Sequence, residues 1–365
     1  MKTIKTMKPL ILLAVPLLLM ACQQSDDMVR ITDESDLVPL QISSGITTNV
    51  TRAYNSTWQA NDAIGVFTTA NSTKNLTSSG TYADENIQYK NTQSELSKFA
   101  AVGDKIYLPA NGGIVDVYAY SPYSSSYTAA NGVPVTIPTQ QTGANQKTAD
   151  LMKAKYLSGE SNNASIYRDN SAVNLVFSHC LSKVIVRVVV GTGYADADLN
   201  GISVKITRQP VAAKFDPLQQ TTSPLTITTP SANFTDIVPL DLTGDTDSET
   251  NHDNDLGADY TAFHTVSNVT ALKVYRFLLL PNDATTNPAT NPATCEESEK
   301  RKIIFTVGNV TYTHNISETF DAGQQTVYTL TLAATGVTLT ASITPWTEGE
   351  TPTNTSDPLF PEATQ

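Results

Sequence analysis

The sequence has few of the residues from which catalytic and metal sites are usually built. Its 365 residues include four histidines and three cysteines, and charged residues make up only 16%, against about 25% in an average soluble domain. Acidic residues outnumber basic ones by 35 to 23. This balance argues against nucleic acid or an anionic membrane surface as the main partner, because both attract clusters of Lys and Arg.

Catalytic and cofactor-binding signatures are missing as well. The sequence contains no GxSxG, HExxH, P-loop or GxGxxG motif, and no Cys or His pair has the spacing of a metal site. His179 lies alone in the apolar stretch LVFSHCLSKV, with no acidic residue beside it, which is typical of a structural histidine rather than a catalyst. We therefore expect no enzymatic activity, no cofactor and no metal centre.

Two features leave alternatives open. Cys180 and Cys295 are predicted to be two separate thiols, while a disulfide between them stays open because export would permit one. The acidic stretch 241–259 fails as an EF-hand, since Thr250 stands where Gly is needed and Leu256 where the bidentate Glu is needed. A solvated surface loop is the preferred interpretation, and a non-standard calcium site is the alternative.

The N-terminus has the pattern of an export signal. Lys2, Lys5 and Lys8 precede an apolar stretch at residues 9–21, with the sequence PLILLAVPLLLMA. Because about 20 residues are needed to span a bilayer as a helix, this shorter stretch predicts a cleaved signal peptide over residues 1–21.

The signal ends in Leu19-Met20-Ala21-Cys22, which resembles the lipobox of bacterial lipoproteins. Cys22 is then the lipidated first residue of the mature chain, and residues 22–36, which are polar and lack periodicity, are its tether. We expect a lipid-anchored precursor in the cell outer membrane.

From Leu37 onward, apolar and polar residues alternate, which is typical of half-buried strands. The first predicted strand is 37–46, with Val38, Leu40 and Ile42 on one face. Further strands are predicted at 63–68, 87–89, 106–109, 114–120, 133–138, 173–190, 202–207, 225–228, 271–280, 326–332 and 337–343, with a hairpin at 302–316 that turns on Gly308-Asn309. One short helix is predicted at 148–155 with Thr148 as its cap. The polar stretch 158–171 is predicted to be a linker between two β-sandwiches.

Five landmarks in order resemble the fimbrillin family of type V fimbriae, the Mfa-like group in particular. They are Trp58-Gln-Ala-Asn-Asp62-Ala-Ile64-Gly65-Val66-Phe67, Val115-Asp-Val-Tyr-Ala-Tyr-Ser-Pro-Tyr123, Asp150-Leu-Met152, Phe177-Ser-His179-Cys-Leu-Ser-Lys-Val184 and Thr344-Pro-Trp346-Thr-Glu-Gly349. The resemblance implies a structural fimbrial subunit, serving adhesion, with two tandem transthyretin-like antiparallel β-sandwich domains. We place these domains at 37–168 and 169–349, followed by a tail at 350–365.

The resemblance also implies maturation by a protease that cuts after a basic residue and removes the first strand. Arg52-Ala53 lies between the strand 37–46 and Trp58, and is the predicted cleavage site, with Arg30 as a second candidate. A sheet that lacks one strand exposes unpaired backbone N–H and C=O groups. A strand from another subunit can pair with these groups and fill the gap. Such head-to-tail contacts do not close, so they build a fibre.

The position of the subunit in the fibre stays open between shaft and tip. The tail contains Pro352, Pro358 and Pro361 and is a poor donor strand, because proline lacks the backbone N–H of a ladder. Either Val337–Trp346 is the donor or the subunit caps the tip.

An alternative is a non-polymerising surface lipoprotein that binds glycans. Tyr118, Tyr120, Tyr123 and Tyr127 would then form its sugar-stacking surface. An inward-facing row of these tyrosines is the preferred interpretation.

Overall fold

The computed structural model of the chain describes residues 37–45, 58–70, 82–160, 162–190, 201–218, 225–242, 272–281, 300–316, 318–333, 336–345 and 355–358. From Val38 onward the chain belongs to one compact unit. Strands dominate the described residues, which confirms the all-β class predicted from the alternating pattern.

An eight-stranded sheet contains most of the first half of the chain. Its strands are β1 (Gln41–Gly45), β2 (Ala63–Ala70), β3 (Tyr82–Thr92), β4 (Glu95–Ala101), β5 (Val115–Ser121), β7 (Met152–Tyr156), β8 (Ala172–Val176) and β9 (Ser178–His179), whereas β6 (Val133–Thr136) belongs to another sheet. Across the sheet their order is β8-β1-β4-β3-β2-β5-β7-β9. Because Phe177 alone separates β8 from β9, the two edges of the sheet lie close together, and β7 also contacts β8. The sheet therefore wraps around its own interior.

Three other sheets hold the remaining described strands. The six-stranded sheet has the order β15 (Leu240–Asp241), β16 (Leu272–Leu279), β10 (Ser182–Val190), β19 (Gln324–Ala333), β20 (Gly336–Pro345) and β21 (Thr355–Pro358). The four-stranded sheet has the order β14 (Thr235–Ile237), β11 (Ser203–Gln209), β17 (Lys302–Val307) and β18 (Val310–Asn315). The three-stranded sheet has the order β13 (Leu225–Ile227), β12 (Ala212–Phe215) and β6. The hairpin predicted at Gly308-Asn309 is confirmed, since Val307 pairs with Val310.

Most of the buried apolar side chains in the described residues belong to two clusters, and a third, small cluster contains Ile185, Leu242, Val274 and Val327. The inner cluster lies inside the eight-stranded sheet and includes Leu40, Ile42, Trp58, Val66, Phe99, Val117, Val173, Leu175 and Phe177. The large cluster joins both halves of the chain and includes Phe67, Tyr118, Tyr120, Phe215, Phe277, Phe305 and Tyr328. Along β2 and along β5, successive side chains enter different clusters. Both strands are therefore buried on both faces, and both consist of nearly continuous apolar residues.

The strand predicted at 173–190 is three strands instead of one. β8 and β9 belong to the eight-stranded sheet, and the chain then changes sheet between His179 and Ser182, where β10 begins. No Gly or Pro stands between these segments, so the sequence gives no turn signal at the change of sheet. The predicted purely antiparallel pairing is also wrong at two places, since β1 is parallel to β8 and β10 is parallel to β19. The predicted division between domains at residue 168 stays a prediction.

The predicted helix 148–155 is wrong. Helix α1 covers Gly143–Ala149 and begins at a capping box, in which Thr142 and Asn145 exchange side-chain and backbone hydrogen bonds. The next residues form β7, which pairs with β5. The alternation of Lys153 and Lys155 with Met152 and Ala154 has the period of a strand rather than of a helix.

The segment predicted as a linker, 158–171, packs against the eight-stranded sheet. Ile166 is fully buried and its backbone N–H bonds to the Ser158 hydroxyl at 3.0 Å. That hydroxyl also donates to the Val115 carbonyl oxygen at 2.5 Å. These bonds tie the beginning and the middle of the segment to the start of β5.

Candidate functional site

Strand β1 lies inside the eight-stranded sheet, although it is the first strand of the chain. It pairs in parallel with β8 along its whole length, from Gln41 opposite Ala172 to Gly45 opposite Val176. On its other side it pairs with β4, with Ile42 opposite Phe99. Just before the strand, the Leu40 backbone N–H bonds to the Ile106 carbonyl oxygen at 2.9 Å. The strand thus closes a position that would otherwise be open on two sides.

The inward face of β1 is almost completely buried. Leu40 is 4% exposed, Ile42 is 3% exposed and Ser44 is 3% exposed, which confirms the face predicted from the alternation of Val38, Leu40 and Ile42. The two apolar side chains belong to the inner cluster. Gln41 lies on the opposite, exposed face.

Trp58 lies inside the sheet and contacts β1 from there. Its indole Nε1–H donates a buried hydrogen bond to the Ser44 hydroxyl oxygen at 2.9 Å. Its ring packs edge-on against Phe99 and Phe177, with centroid distances of 5.0 and 5.1 Å. Trp58 therefore contacts β1 through a specific polar bond as well as through apolar packing.

Two further residues of the Trp58 landmark, Asp62 and Gly65, have a visible structural reason. The Asp62 carboxylate accepts the Gln59 backbone N–H at 2.7 Å and holds the turn into β2, and burial raises the pKa of this carboxyl group. Gly65 leaves room for the ring of Tyr120, because a Cβ atom there would lie 2.3 Å from Tyr120 Cε1. These residues position Trp58 and fix the core.

The tyrosines proposed as a glycan-stacking surface do not form one. Tyr118 is 7% exposed and Tyr120 is fully buried. The Tyr120 hydroxyl donates to the Asn86 side-chain oxygen at 2.7 Å, and burial raises the pKa of this phenol. The inward-facing row is confirmed for these two residues, while Tyr123 and Tyr127 are half-buried.

Comparison with known proteins identifies the family. The sequence model described as fimbrillin-like matches residues 51–346, which is most of the chain. The chain belongs to the fimbrillin-like family. The resemblance seen in the five landmarks is therefore confirmed.

Other relatives agree with the fimbrillin-like assignment. A Bacteroides uniformis protein with the provisional name of fimbrium subunit Fim1C is 29% identical over 315 residues, which covers 86% of each chain. A crystal structure of a provisionally named cell adhesion protein from the same organism has a TM-score of 0.58 at 22% identity, covering 86% of this chain and all of the other. A similar structure from Bacteroides ovatus has a TM-score of 0.57 at 20% identity, covering 86% and 99% of the two chains. These two structures support the fold.

His179 of this fimbrillin-like chain has an acidic partner that its sequence neighbourhood does not show. The His179 ring Nδ1 lies 2.9 Å from an Asp150 carboxylate oxygen, and both side chains are buried. Asp150 is close in space because β7 pairs with β9. The two residues belong to different landmarks, Asp150-Leu-Met152 and Phe177-Ser-His179, so their pairing brings these two landmarks together in space.

Cys180 is a free, buried thiol. Burial raises its pKa to about 12, because the thiolate would be desolvated. The neighbouring His179 and Asp150 do not make it a nucleophile of the kind found in cysteine hydrolases, since those need an accessible, low-pKa thiol.

Several predicted sites lie outside the described residues. These are Cys22, Arg30, Arg52 with Ala53, Trp346, Cys295 and the acidic stretch from residue 243 to residue 259. Within the described ranges, no group of three or more His, Cys, Asp or Glu is arranged to hold a metal ion. No helix in those ranges has the length and apolar character to cross a membrane.

Proposed function

We propose that this chain is a subunit of a cell-surface fimbria whose first strand is removed during maturation and replaced by a strand from another subunit. The precursor is exported as a lipoprotein anchored through Cys22, and the cut falls after Arg52. The observation that carries this proposal is the position of β1, which is the first strand in the chain and yet lies between β8 and β4.

Loss of β1 would open a groove with two unpaired sides. In the described sheet, β8 has β1 as its ladder partner, and β4 would keep its pairing with β3. The floor of the groove would be Trp58, Phe99 and Leu175 of the inner cluster. Exposed strand edges and apolar surface are strongly driven to pair with another strand.

The connection between Gly45 and Trp58 contains the proposed cleavage site at Arg52 and Ala53. A cut there would leave β1 held by its hydrogen bonds and by Leu40 and Ile42, without a covalent link to the rest of the sheet. Exchange would then be slow and the product kinetically stable, because the replacing strand must displace a buried one.

Of the two positions left open by the sequence, the tip fits the C-terminal strands better than the shaft does. β20 is an inner strand, paired with β19 along its ten residues and with β21 on its other side. Its use as a donor would require that both neighbours lose a partner, whereas a tip subunit needs no donor.

The N-terminal residue of the protein recovered from the cell surface tests the proposal most directly. We expect Ala53 in fimbriae and lipidated Cys22 in the precursor. A Cys22→Ala protein should lose membrane retention, because no other predicted segment holds it in lipid. Retention of Cys22→Ala with the outer membrane, or a surface form that still begins before residue 37, would contradict this maturation route.

Controlled proteolysis gives a second test. Low-dose trypsin should cut the purified precursor at Arg52, and only cut protein should form SDS-resistant oligomers. Arg52→Gln should block both steps, while Arg30→Gln serves as the matched control and should block neither. Equal oligomer formation by cut and uncut protein would argue against strand exchange.

A further inference from the structure

The hydrogen bond between Trp58 and Ser44 places a chemical requirement on whatever strand replaces β1. Trp58 is 4% exposed, and its indole N–H is a donor without acceptor capacity. In the part of the chain that the structure describes, the Ser44 hydroxyl is its hydrogen-bond acceptor. Ser44 leaves with β1 if the strand is removed, while Trp58 lies beyond Arg52 and stays.

The surroundings of Trp58 do not compensate for that loss. Phe99 and Phe177 pack against its ring from two sides, and neither offers an acceptor. An unpaired buried N–H is costly, because the donor has given up water without gaining a partner. An apolar side chain in place of Ser44 would fill the space and leave this donor unpaired.

We propose that the occupant of the groove is a strand from another subunit that runs parallel to β8, with apolar side chains where Leu40 and Ile42 lie and a hydrogen-bond acceptor where Ser44 lies. This inference rests on the proposed strand exchange and deepens it. Ser, Thr, Asn or Asp meets the requirement at that position, and Val, Ile, Leu or Pro does not.

This chain's own last long strand, β20, does not meet the requirement for an acceptor at the position of Ser44. When the alternating sequence 337–345 is aligned with residues 38–44, Ile343 or Pro345 falls at the position of Ser44. Neither side chain accepts a hydrogen bond. The groove therefore fits a strand from a subunit of different sequence better than it fits β20 from a second copy.

Synthetic strands test this with Cys22→Ala protein cut after Arg52. Fluorescently labelled peptides of residues 37–46 would be compared as the natural sequence, as Ser44→Ala and as Ser43→Ala, with anisotropy as the readout. Ser43 is the matched control, since its hydroxyl lies on the half-buried opposite face and bonds to the Val173 carbonyl oxygen at 3.2 Å. We expect the Ser44→Ala peptide to bind about tenfold more weakly than the natural peptide, and Ser43→Ala to bind nearly as well as the natural one.

The same peptides on Trp58→Phe protein complete the test. This variant keeps an aromatic ring and removes the N–H, so the natural and Ser44→Ala peptides should then bind equally. Equal binding to the protein with Trp58, a tenfold difference that persists with Trp58→Phe, or tight binding of a 337–345 peptide would each overturn the acceptor requirement. Failure of every peptide to exchange, whatever its sequence, would instead overturn strand exchange itself and this inference with it.

Discussion

The first and the last described strands of this chain occupy opposite kinds of position. β1 is an interior strand with partners on both sides and a buried face. β21 is an edge strand of four residues that pairs with β20 alone and ends in Pro358. Terminal strands are easily added at a sheet edge, where their loss shortens the sheet. Loss of β1 would instead open a gap in the sheet.

Because of this difference, β1 rather than β21 is the strand whose loss would leave a gap for another strand to fill. Removal of an edge strand exposes one new edge, whereas removal of β1 exposes two strands and part of the inner cluster. A gap of that kind selects for an incoming strand of defined length, direction and side-chain pattern. The interior position of β1 would thus make the proposed exchange specific.

The largest effect should come from Ile42→Asp. A carboxylate would be buried at the centre of β1 without a partner, which costs several kcal/mol of unfolding free energy in the precursor. Chemical denaturation of the precursor measures this loss. Gln41→Asp, on the exposed face of the same strand, is the matched control and should change little.

The Ile42→Asp defect should vanish once the strand is exchanged. Melting of cut, polymerised protein should match that of unmutated fibre. A lasting loss in the surface form, with residues 37–46 still attached, would show that β1 is a permanent strand.

Gly65→Ala should have the next largest effect, and should persist in the fibre. The new Cβ would collide with two atoms of the Tyr120 ring and with the Asn86 side-chain oxygen, at a cost of about 1–3 kcal/mol. Because β2 is never removed in the proposed route, precursor and polymer should be destabilised alike. The background Tyr120→Leu should relieve much of the collision, and an unchanged cost in that background would contradict the steric explanation.

Deletion of residues 355–365 should have a small effect. β21 contributes a short edge pairing, so its loss should lower the unfolding free energy by about 1 kcal/mol or less. Denaturation of the truncated chain beside the Ile42→Asp chain compares the two ends directly. A loss of unfolding free energy as large as that of Ile42→Asp would show that the edge strand stabilises the chain as much as the interior strand does.

The smallest expected effect concerns Cys180, where the chain passes from the eight-stranded to the six-stranded sheet. In a Cys22→Ala, Cys295→Ser chain, the buried thiol with its pKa of about 12 should react with a thiol reagent at pH 8 only after unfolding. Cutting at Arg52 should not change this rate. Faster labelling of the cut protein would mean that opening the groove loosens the connection between the sheets.

Much of the fold was predictable because period-2 alternation reports burial on one face. The inward residues of β1 and the hairpin at Gly308-Asn309 are examples. Prediction failed where burial is two-sided or where a local signal competes. Residues 173–190 pass from one-sided burial in β8 to burial on both faces in β10 with no Gly or Pro between them, so their sequence does not mark the change of sheet. Thr142 starts α1 ahead of the predicted cap.

The candidate site was predictable in part. The landmark pattern singled out Trp58, and alternation identified the buried face of β1. The hydrogen bond between Trp58 and Ser44 and the pairing of Asp150 with His179 depend on which strands are neighbours, and sequence periodicity does not contain strand order. The parallel pairing of β1 with β8 was hidden for the same reason.

The short chain segment from β8 through β9 into β10 determines how tension would pass through a fimbria assembled as proposed. A pull on the strand in the groove loads the ladder of β8, and β8 is joined to β10 through Phe177, His179, Cys180 and Leu181, all of them buried. β10 is in turn an inner strand, held by β16 and β19. In such a fibre the force would cross from one sheet to the other along a few buried residues, and the mechanical strength of the subunit would depend on that segment.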